Sequence, residues 1–110
     1  MNLHHLAEER SLAYHAVVAA RLATDPEMLE GARRRAATWL EAGAPGAPHE
    51  HYARAWAALL ASPIEVIRDR LVDTSEEARA LRQVTPFAGA IDARTRWKLW
   101  REVRERHAGP

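Results

Sequence analysis

The segment ARALRQVTPFAGAIDARTRWKLWREV, residues 78–103, contains the end of one helix, a short loop and the start of another helix. Pro86 disfavours the α conformation at Thr85, so we expect the first helix to end there. Gly89 can adopt a positive φ angle if the loop requires one. Asp92 can accept hydrogen bonds from the free N–H groups of the following helix. The segment therefore predicts a helix–loop–helix corner.

Phe87, the only phenylalanine of the chain, lies at the tip of this corner. Large aromatic side chains are usually buried, which favours a place in the core beside the tryptophans. The alternative is that Phe87 and the neighbouring arginines form a partner-binding edge, since aromatic and guanidinium groups often anchor interfaces. The candidate partner-binding residues are Arg79, Arg82, Gln83, Phe87, Arg94 and Arg96.

The helix after Asp92 separates apolar from charged residues with a helical period. One broad arc consists of Trp97, Leu99, Trp100 and Val103, and the other of Arg94, Lys98, Arg101, Glu102 and Glu105. We expect Trp100, like Trp56 earlier in the chain, to be mostly buried.

The composition indicates a helical protein, because the 110 residues include 23 alanines and few β-branched residues. We expect residues 1–110 to form one all-α domain, a bundle of five to six helices. The sequence GAPGAP at residues 43–48 is typical of an exposed linker within that domain. The absence of cysteine, of a signal-peptide pattern and of a membrane-spanning apolar run favours a cytoplasmic location.

Capping residues and helix breakers predict where the helices begin and end. The expected boundaries lie near Pro26, Gly43, Ser62, Asp73 and Asp92, with Thr24 or Asp25 as the cap of the helix that begins at Pro26. Ser62 and Glu65 have the spacing of a capping box. Residues 3–23 read as a long helix with apolar side chains on two sides, so this helix is either central to the bundle or meets another chain with one of its sides.

Positive charge is concentrated near the carboxyl end, since residues 79–110 carry eight of the sixteen basic residues and only three acidic ones. Such an excess points to an acidic partner or to nucleic acid. Glu102 and Glu105 alternate with arginines, however, as on an ordinary solvated helix face. The three arginines at 33–35 fan around their helix and cannot form one patch.

Catalytic and metal-binding motifs are not recognisable in the sequence. The glycines lack the context of a phosphate-binding loop. His49 with His51, and His4 with His5, lack the further close ligands that structural zinc needs. Ser62 and Ser75 are expected to cap helices rather than to act as nucleophiles. We therefore expect a protein that is not an enzyme and that needs neither a metal nor another cofactor.

A DNA-binding interpretation is the main alternative, because residues 63–84 could form a helix-turn-helix whose second helix carries Arg79, Arg82 and Gln83. Against it, Glu76 and Glu77 open that second helix, where acidic side chains would repel phosphates.

The motif Leu81-Arg82-Gln83, followed by Thr85-Pro86-Phe87-Ala88-Gly89, Ile91 and Arg96-Trp97, is similar to one in a small group of bacterial helical proteins. In that group a Leu-Arg-Gln run leads into Ser/Thr-Pro-Phe-Ala-Gly, and the members resemble antitoxins or regulators of toxin–antitoxin pairs. The resemblance implies a protein that binds and neutralises a cognate toxin enzyme encoded by a neighbouring gene, such as a nucleotidyltransferase. A DNA-binding regulator, or a general protein-interaction adaptor, remains an alternative, and no membrane partner is expected.

Overall fold

A computed structural model describes residues 3–108, with side chains from residue 5 onward. The side chain of His4, and with it the His4–His5 pair, lies outside the described part. Within residues 3–108 the chain forms six helices and no strand, which confirms the all-α prediction. The helices are α1 (Leu3–Leu22), α2 (Pro26–Trp39), α3 (Glu50–Leu60), α4 (Ile64–Leu71), α5 (Glu76–Gln83) and α6 (Ala93–His107).

Helix α1 lies at the centre of the bundle and contacts α2, α4, α5 and α6. Its buried side chains include Tyr14, His15, Val18 and Leu22. These four side chains lie within about 100° of the helix circumference, and buried Ala19 and half-buried Val17 widen the covered surface on either side. Helix α1 is therefore central to the bundle, which was one of the two alternatives that its sequence offered. Helices α2 and α3 pack against each other, joined by residues 40–49.

Three helix starts agree with the predicted caps. Asp25 precedes Pro26 and accepts a hydrogen bond from the Met28 N–H at 3.2 Å. Ser75 and Asp92 begin α5 and α6 in the same way, through the side-chain oxygen of each. The polar residues that begin these helices could therefore be recognised from the sequence.

The boundary near Ser62 is confirmed, since α3 ends at Leu60 and α4 begins at Ile64, but two details of the predicted helix ends are wrong. Helix α2 ends at Trp39, before Gly43, which adopts φ +72° in the turn that follows. Pro63 occupies the cap position of α4, with no side-chain cap bond, so Ser62 and Glu65 do not form a capping box. Ser62 instead lies just after α3, and its hydroxyl donates to the Ala58 carbonyl in the last turn of that helix at 3.1 Å.

The core centres on Trp56 and Phe87, each 1% exposed, whose rings meet edge to face with centroids 6.1 Å apart. The Trp56 indole N–H donates to the Leu81 carbonyl at 3.0 Å, which satisfies its one polar atom. Phe87 is therefore a core residue, as one of the two interpretations predicts.

The two tryptophans of α6 differ in exposure. Trp100 is mostly buried against the core, as predicted, with its ring centroid 6.5 Å from that of Tyr14 and 5.8 Å from the Arg10 guanidinium carbon. Trp97 is 69% exposed and does not share the buried side of the helix. The reason is that α6 packs against α1 alone among the helices, so one narrow side of it is covered.

Candidate functional site

The corner at residues 84–91 is held to α1 by the Tyr14 hydroxyl. This hydroxyl donates to the Phe87 carbonyl at 2.6 Å and accepts from the Ala90 N–H at 3.1 Å. A buried hydroxyl that makes both bonds fixes the backbone at Phe87 and at Ala90 relative to one point on α1. Gly89, between them, has φ +78°, a conformation that favours glycine.

His15, one position further along α1, is a buried polar residue beneath the same corner. Its Nδ1 lies 2.7 Å from the Ser11 carbonyl oxygen and its Nε2 lies 2.9 Å from the Thr85 hydroxyl. Since the carbonyl only accepts, Nδ1 carries the proton and Nε2 accepts from Thr85. Burial lowers the pKa of His15 to about 4, with the Arg82 charge adding to the effect and the Ser11 bond opposing it. The imidazole is therefore neutral near pH 7.

Helix α2 holds the corner from the other side. The Arg35 guanidinium donates to the Pro86 carbonyl and, at 3.0 Å, to the Ala88 carbonyl. Hydrogen bonds that involve a charged donor are stronger than neutral ones. The Thr-Pro-Phe-Ala-Gly stretch is thus fastened to two helices and acts as a structural joint, with Phe87 directed into the core.

Arg82, a candidate partner-binding residue, is engaged inside the protein. It is 5% exposed, and its Nη1 donates to the carbonyls of Leu71 at 3.3 Å and Asp73 at 2.6 Å. These carbonyls lie at the end of α4 and in the following turn, so Arg82 joins α5 to α4. An arginine used in this way is not free to read bases, which weighs against the helix-turn-helix interpretation.

Arg79 and Gln83 are exposed on α5 and line a groove between α1 and α5. We call it the α1–α5 groove; its volume is about 300 Å³ and its lining is Ala7, Glu8, Ser11, Arg79, Arg82 and Gln83. Arg79 Nη1 lies 4.0 Å from Glu8 Oε2, and the side chains are 45% exposed for Arg79 and 39% exposed for Glu8. An ion pair this long and this exposed is weak, so the Arg79 guanidinium remains available to another acid.

The remaining candidates lie elsewhere. Arg94 is exposed and Arg96 half-buried in the first turns of α6, and neither lines the groove. Phe87 is in the core. The structure thus brings together Arg79, Arg82 and Gln83 out of the six predicted residues.

Glu8 and Ser11 complete the groove and were not among the predicted residues. The only signal for them in the sequence is that α1 has a second side available for contact. Tyr14 and His15 were also not among the predicted residues. Both are buried with polar atoms, and buried polar side chains are usually hydrogen-bonded, as these two are.

The chemistry available to the groove is binding of an anion through guanidinium and amide N–H donors. No group of three or more His, Cys, Asp or Glu residues that could hold a metal ion occurs in the part of the chain that the structure describes. None of the six described helices is long and apolar enough to cross a membrane. Comparison with known proteins shows no matching family model, and no curated protein or solved structure has significant similarity to this chain.

Proposed function

We propose that the protein acts by binding a protein partner, and that the α1–α5 groove receives an acidic side chain of that partner. The observation that carries the proposal is the exposed Arg79 guanidinium at the mouth of a groove that also presents the Gln83 side chain. Arginine binds carboxylates through two parallel hydrogen bonds, which gives such a contact both strength and direction.

Glu8 is the natural competitor for Arg79. At 4.0 Å its carboxylate is near enough to attract the guanidinium but too far for a direct hydrogen bond. A partner carboxylate that approaches to about 2.8 Å would form the stronger pair. Glu8 then offsets part of the positive charge of Arg79 and Arg82 in the free protein and moves aside, or shares Arg79, in the complex.

The three residues of the Leu-Arg-Gln motif, Leu81 to Gln83, have different structural roles, and these roles are consistent with the proposal. Leu81 is buried in the core, Arg82 joins α5 to α4, and Gln83 lies on the groove. One short run of residues thus both builds the groove and lines it.

The resemblance of this motif to antitoxin-like proteins suggests the identity of the partner. The protein would be an antitoxin that neutralises a toxin enzyme encoded by a neighbouring gene, such as a nucleotidyltransferase. Enzymes of that class use carboxylates to hold metal ions, and these are acids that Arg79 could engage.

The experiment is to express the neighbouring gene with and without this protein, and to measure growth and co-purification. The test variant is Arg79→Glu, which replaces the exposed cation of the groove by an anion. The matched control is Arg68→Glu, an exposed arginine on α4 that does not line the groove. We expect the test variant to lose protection and the control to keep it, while Glu8→Gln binds more tightly than the parent.

Three results would contradict parts of the proposal. A neighbour that is harmless when expressed alone contradicts the antitoxin function. Full protection by a folded groove variant contradicts the groove as the contact site. Equal loss of protection by the control variant would show that binding depends on net charge and not on this groove.

A further inference from the structure

The outward side of α6 carries an exposed indole among cationic side chains. Trp97 has the highest exposure of the large apolar side chains in the described part of the chain, 69%, against 49% for Leu40. A single exposed apolar side chain is not unusual, but tryptophan is enriched at interfaces relative to the rest of the protein surface, which makes Trp97 a candidate contact residue together with its charged neighbours. The side chain plays no part in the α1–α5 groove.

The neighbours of Trp97 on this side follow the helical repeat. Arg94, Trp97, Arg101 and Arg104 are spaced by three, four and three residues, which places them in one stripe about 15 Å long. Lys98 lies beside the stripe. All five side chains are exposed, and we call them together the α6 stripe.

The cations of the α6 stripe are largely unneutralised. Within residues 3–108, no carboxylate lies within 4.0 Å of Arg94, Arg101 or Arg104. Lys98 Nζ is 4.0 Å from Glu102 Oε1, and both are more than half exposed, so this pair contributes little. Glu105 is the other acid on this side of the helix. The stripe therefore attracts a polyanion.

We infer that the α6 stripe binds single-stranded nucleic acid, with the Trp97 indole stacked on an unpaired base and the flanking arginines in contact with phosphates. Alternating aromatic and cationic groups are the combination that non-specific single-strand binders use. Duplex nucleic acid offers phosphates on its outside but no free base face for an indole. A membrane-surface helix needs a broad apolar face, whereas the outer side of α6 has one tryptophan.

The test is a titration of the protein with fluorescein-labelled oligo(dT), followed by anisotropy and by tryptophan fluorescence. We expect binding that quenches tryptophan emission and weakens with salt, with a slope no steeper than about −3 because each phosphate contact on a single strand contributes about −0.7. Trp97→Ala should weaken binding about 5- to 150-fold, as loss of one stacked base does. Trp97→Phe should retain more of the affinity, since phenylalanine still offers a ring.

Charge reversal separates the α6 stripe from general electrostatics. Arg101→Glu with Arg104→Glu should abolish binding, whereas Arg34→Glu with Arg68→Glu, the same change at exposed arginines of α2 and α4, should leave most of it. All five positions are exposed, so circular dichroism should show every variant folded.

The inference is overturned by any of four results. These are the absence of oligo(dT) binding, an unchanged affinity of Trp97→Ala, equal or tighter binding of a duplex, and equal competition by poly-glutamate or by phosphatidylserine vesicles. The last two would assign the stripe to a duplex, an acidic protein or a membrane surface instead. None of these results bears on the α1–α5 groove, which shares no residue with the stripe.

Discussion

The imidazole of His15 and the hydroxyl of Thr85, 70 positions apart in the sequence, lie 2.9 Å apart and join the central helix to the corner. The Thr85 hydroxyl, which donates to the imidazole, also accepts from the Phe87 N–H at 3.1 Å. A continuous chain of hydrogen bonds therefore runs from the Ser11 carbonyl through both side chains to the backbone that holds Phe87. This chain of hydrogen bonds requires an uncharged imidazole, because Nε2 of His15 accepts the bond from Thr85.

The first prediction is that stability depends on pH through His15. Its pKa is about 4 in the folded protein against 6.5 for an ordinary histidine. Between these values the unfolded chain binds more protons, so the free energy of unfolding rises with pH. The contribution is complete above pH 6.5 and is lost as the pH falls toward 4, with a total of about 3 kcal/mol.

Urea denaturation at several pH values between 4 and 7.5 measures this dependence. His15→Gln should remove most of the slope in that window, whereas His51→Gln, at an exposed position, should keep it. The carboxyls of Asp73 and Asp92 act at lower pH, because hydrogen bonds from Ser75 and Thr95 hold the pKa of each below 3.8. A parent protein equally stable at pH 4.5 and 7 would contradict the prediction.

The second prediction concerns the Tyr14 hydroxyl. Tyr14→Phe leaves the Phe87 carbonyl and the Ala90 N–H without this partner, and we expect the free energy of unfolding to fall by about 1–3 kcal/mol. The control is Tyr52→Phe, since the half-buried Tyr52 makes no hydroxyl hydrogen bond among the described residues, and it should change stability by less than about 0.5 kcal/mol. Thermal or urea unfolding distinguishes them. Equal effects would mean that the hydroxyl is not what fastens the loop.

The starts of most helices could be predicted from capping residues and prolines that are close together in the sequence. Proline and the capping aspartates set the starts of α2 and α6, because the groups involved are within three residues of each other. The glycine at the corner was predicted for the same reason. Ser62 shows the limit of such rules. By its place in the sequence its hydroxyl could cap the start of α4 or bond a carbonyl at the end of α3, and only the structure shows that it does the second.

The contacts that build the site could not be predicted, since they join residues far apart in the chain. Arg35 reaches the corner across 51 positions and Tyr14 across 73. The exposure of Trp97 was missed for a related reason. Its helix has an apolar arc wide enough for two neighbours, but only α1 packs against it.

The third prediction is that alanine has opposite effects on stability at two glycine positions. Gly89 has φ +78° and open space where a Cβ would lie, so Gly89→Ala meets backbone strain alone and should cost about 1–2 kcal/mol, and Gly89→Val more. Gly31 lies inside α2, where a Cβ would make ordinary contact with Arg34 at 3.8 Å. Gly31→Ala should therefore stabilise the protein by about 0.5–1 kcal/mol. Denaturation midpoints measure both, and a stabilising Gly89→Ala would exclude a left-handed corner.

The last prediction contrasts two aromatic residues ten positions apart. Phe87 is 1% exposed and its ring packs against Trp56. Phe87→Ala should therefore lower the free energy of unfolding by about 3–5 kcal/mol, because the missing ring leaves a cavity. Trp97 is 69% exposed, so Trp97→Ala should change it by less than about 0.5 kcal/mol. Urea unfolding monitored by circular dichroism measures both without relying on tryptophan emission. If Phe87→Ala folds as stably as the parent, Phe87 is not a core residue. If Trp97→Ala is strongly destabilised, the indole is packed against the protein and cannot serve as a binding surface. The expected result makes any loss of binding in Phe87→Ala a consequence of lost stability. It leaves Trp97→Ala as a variant that reports on nucleic-acid binding by the α6 stripe without a change in stability.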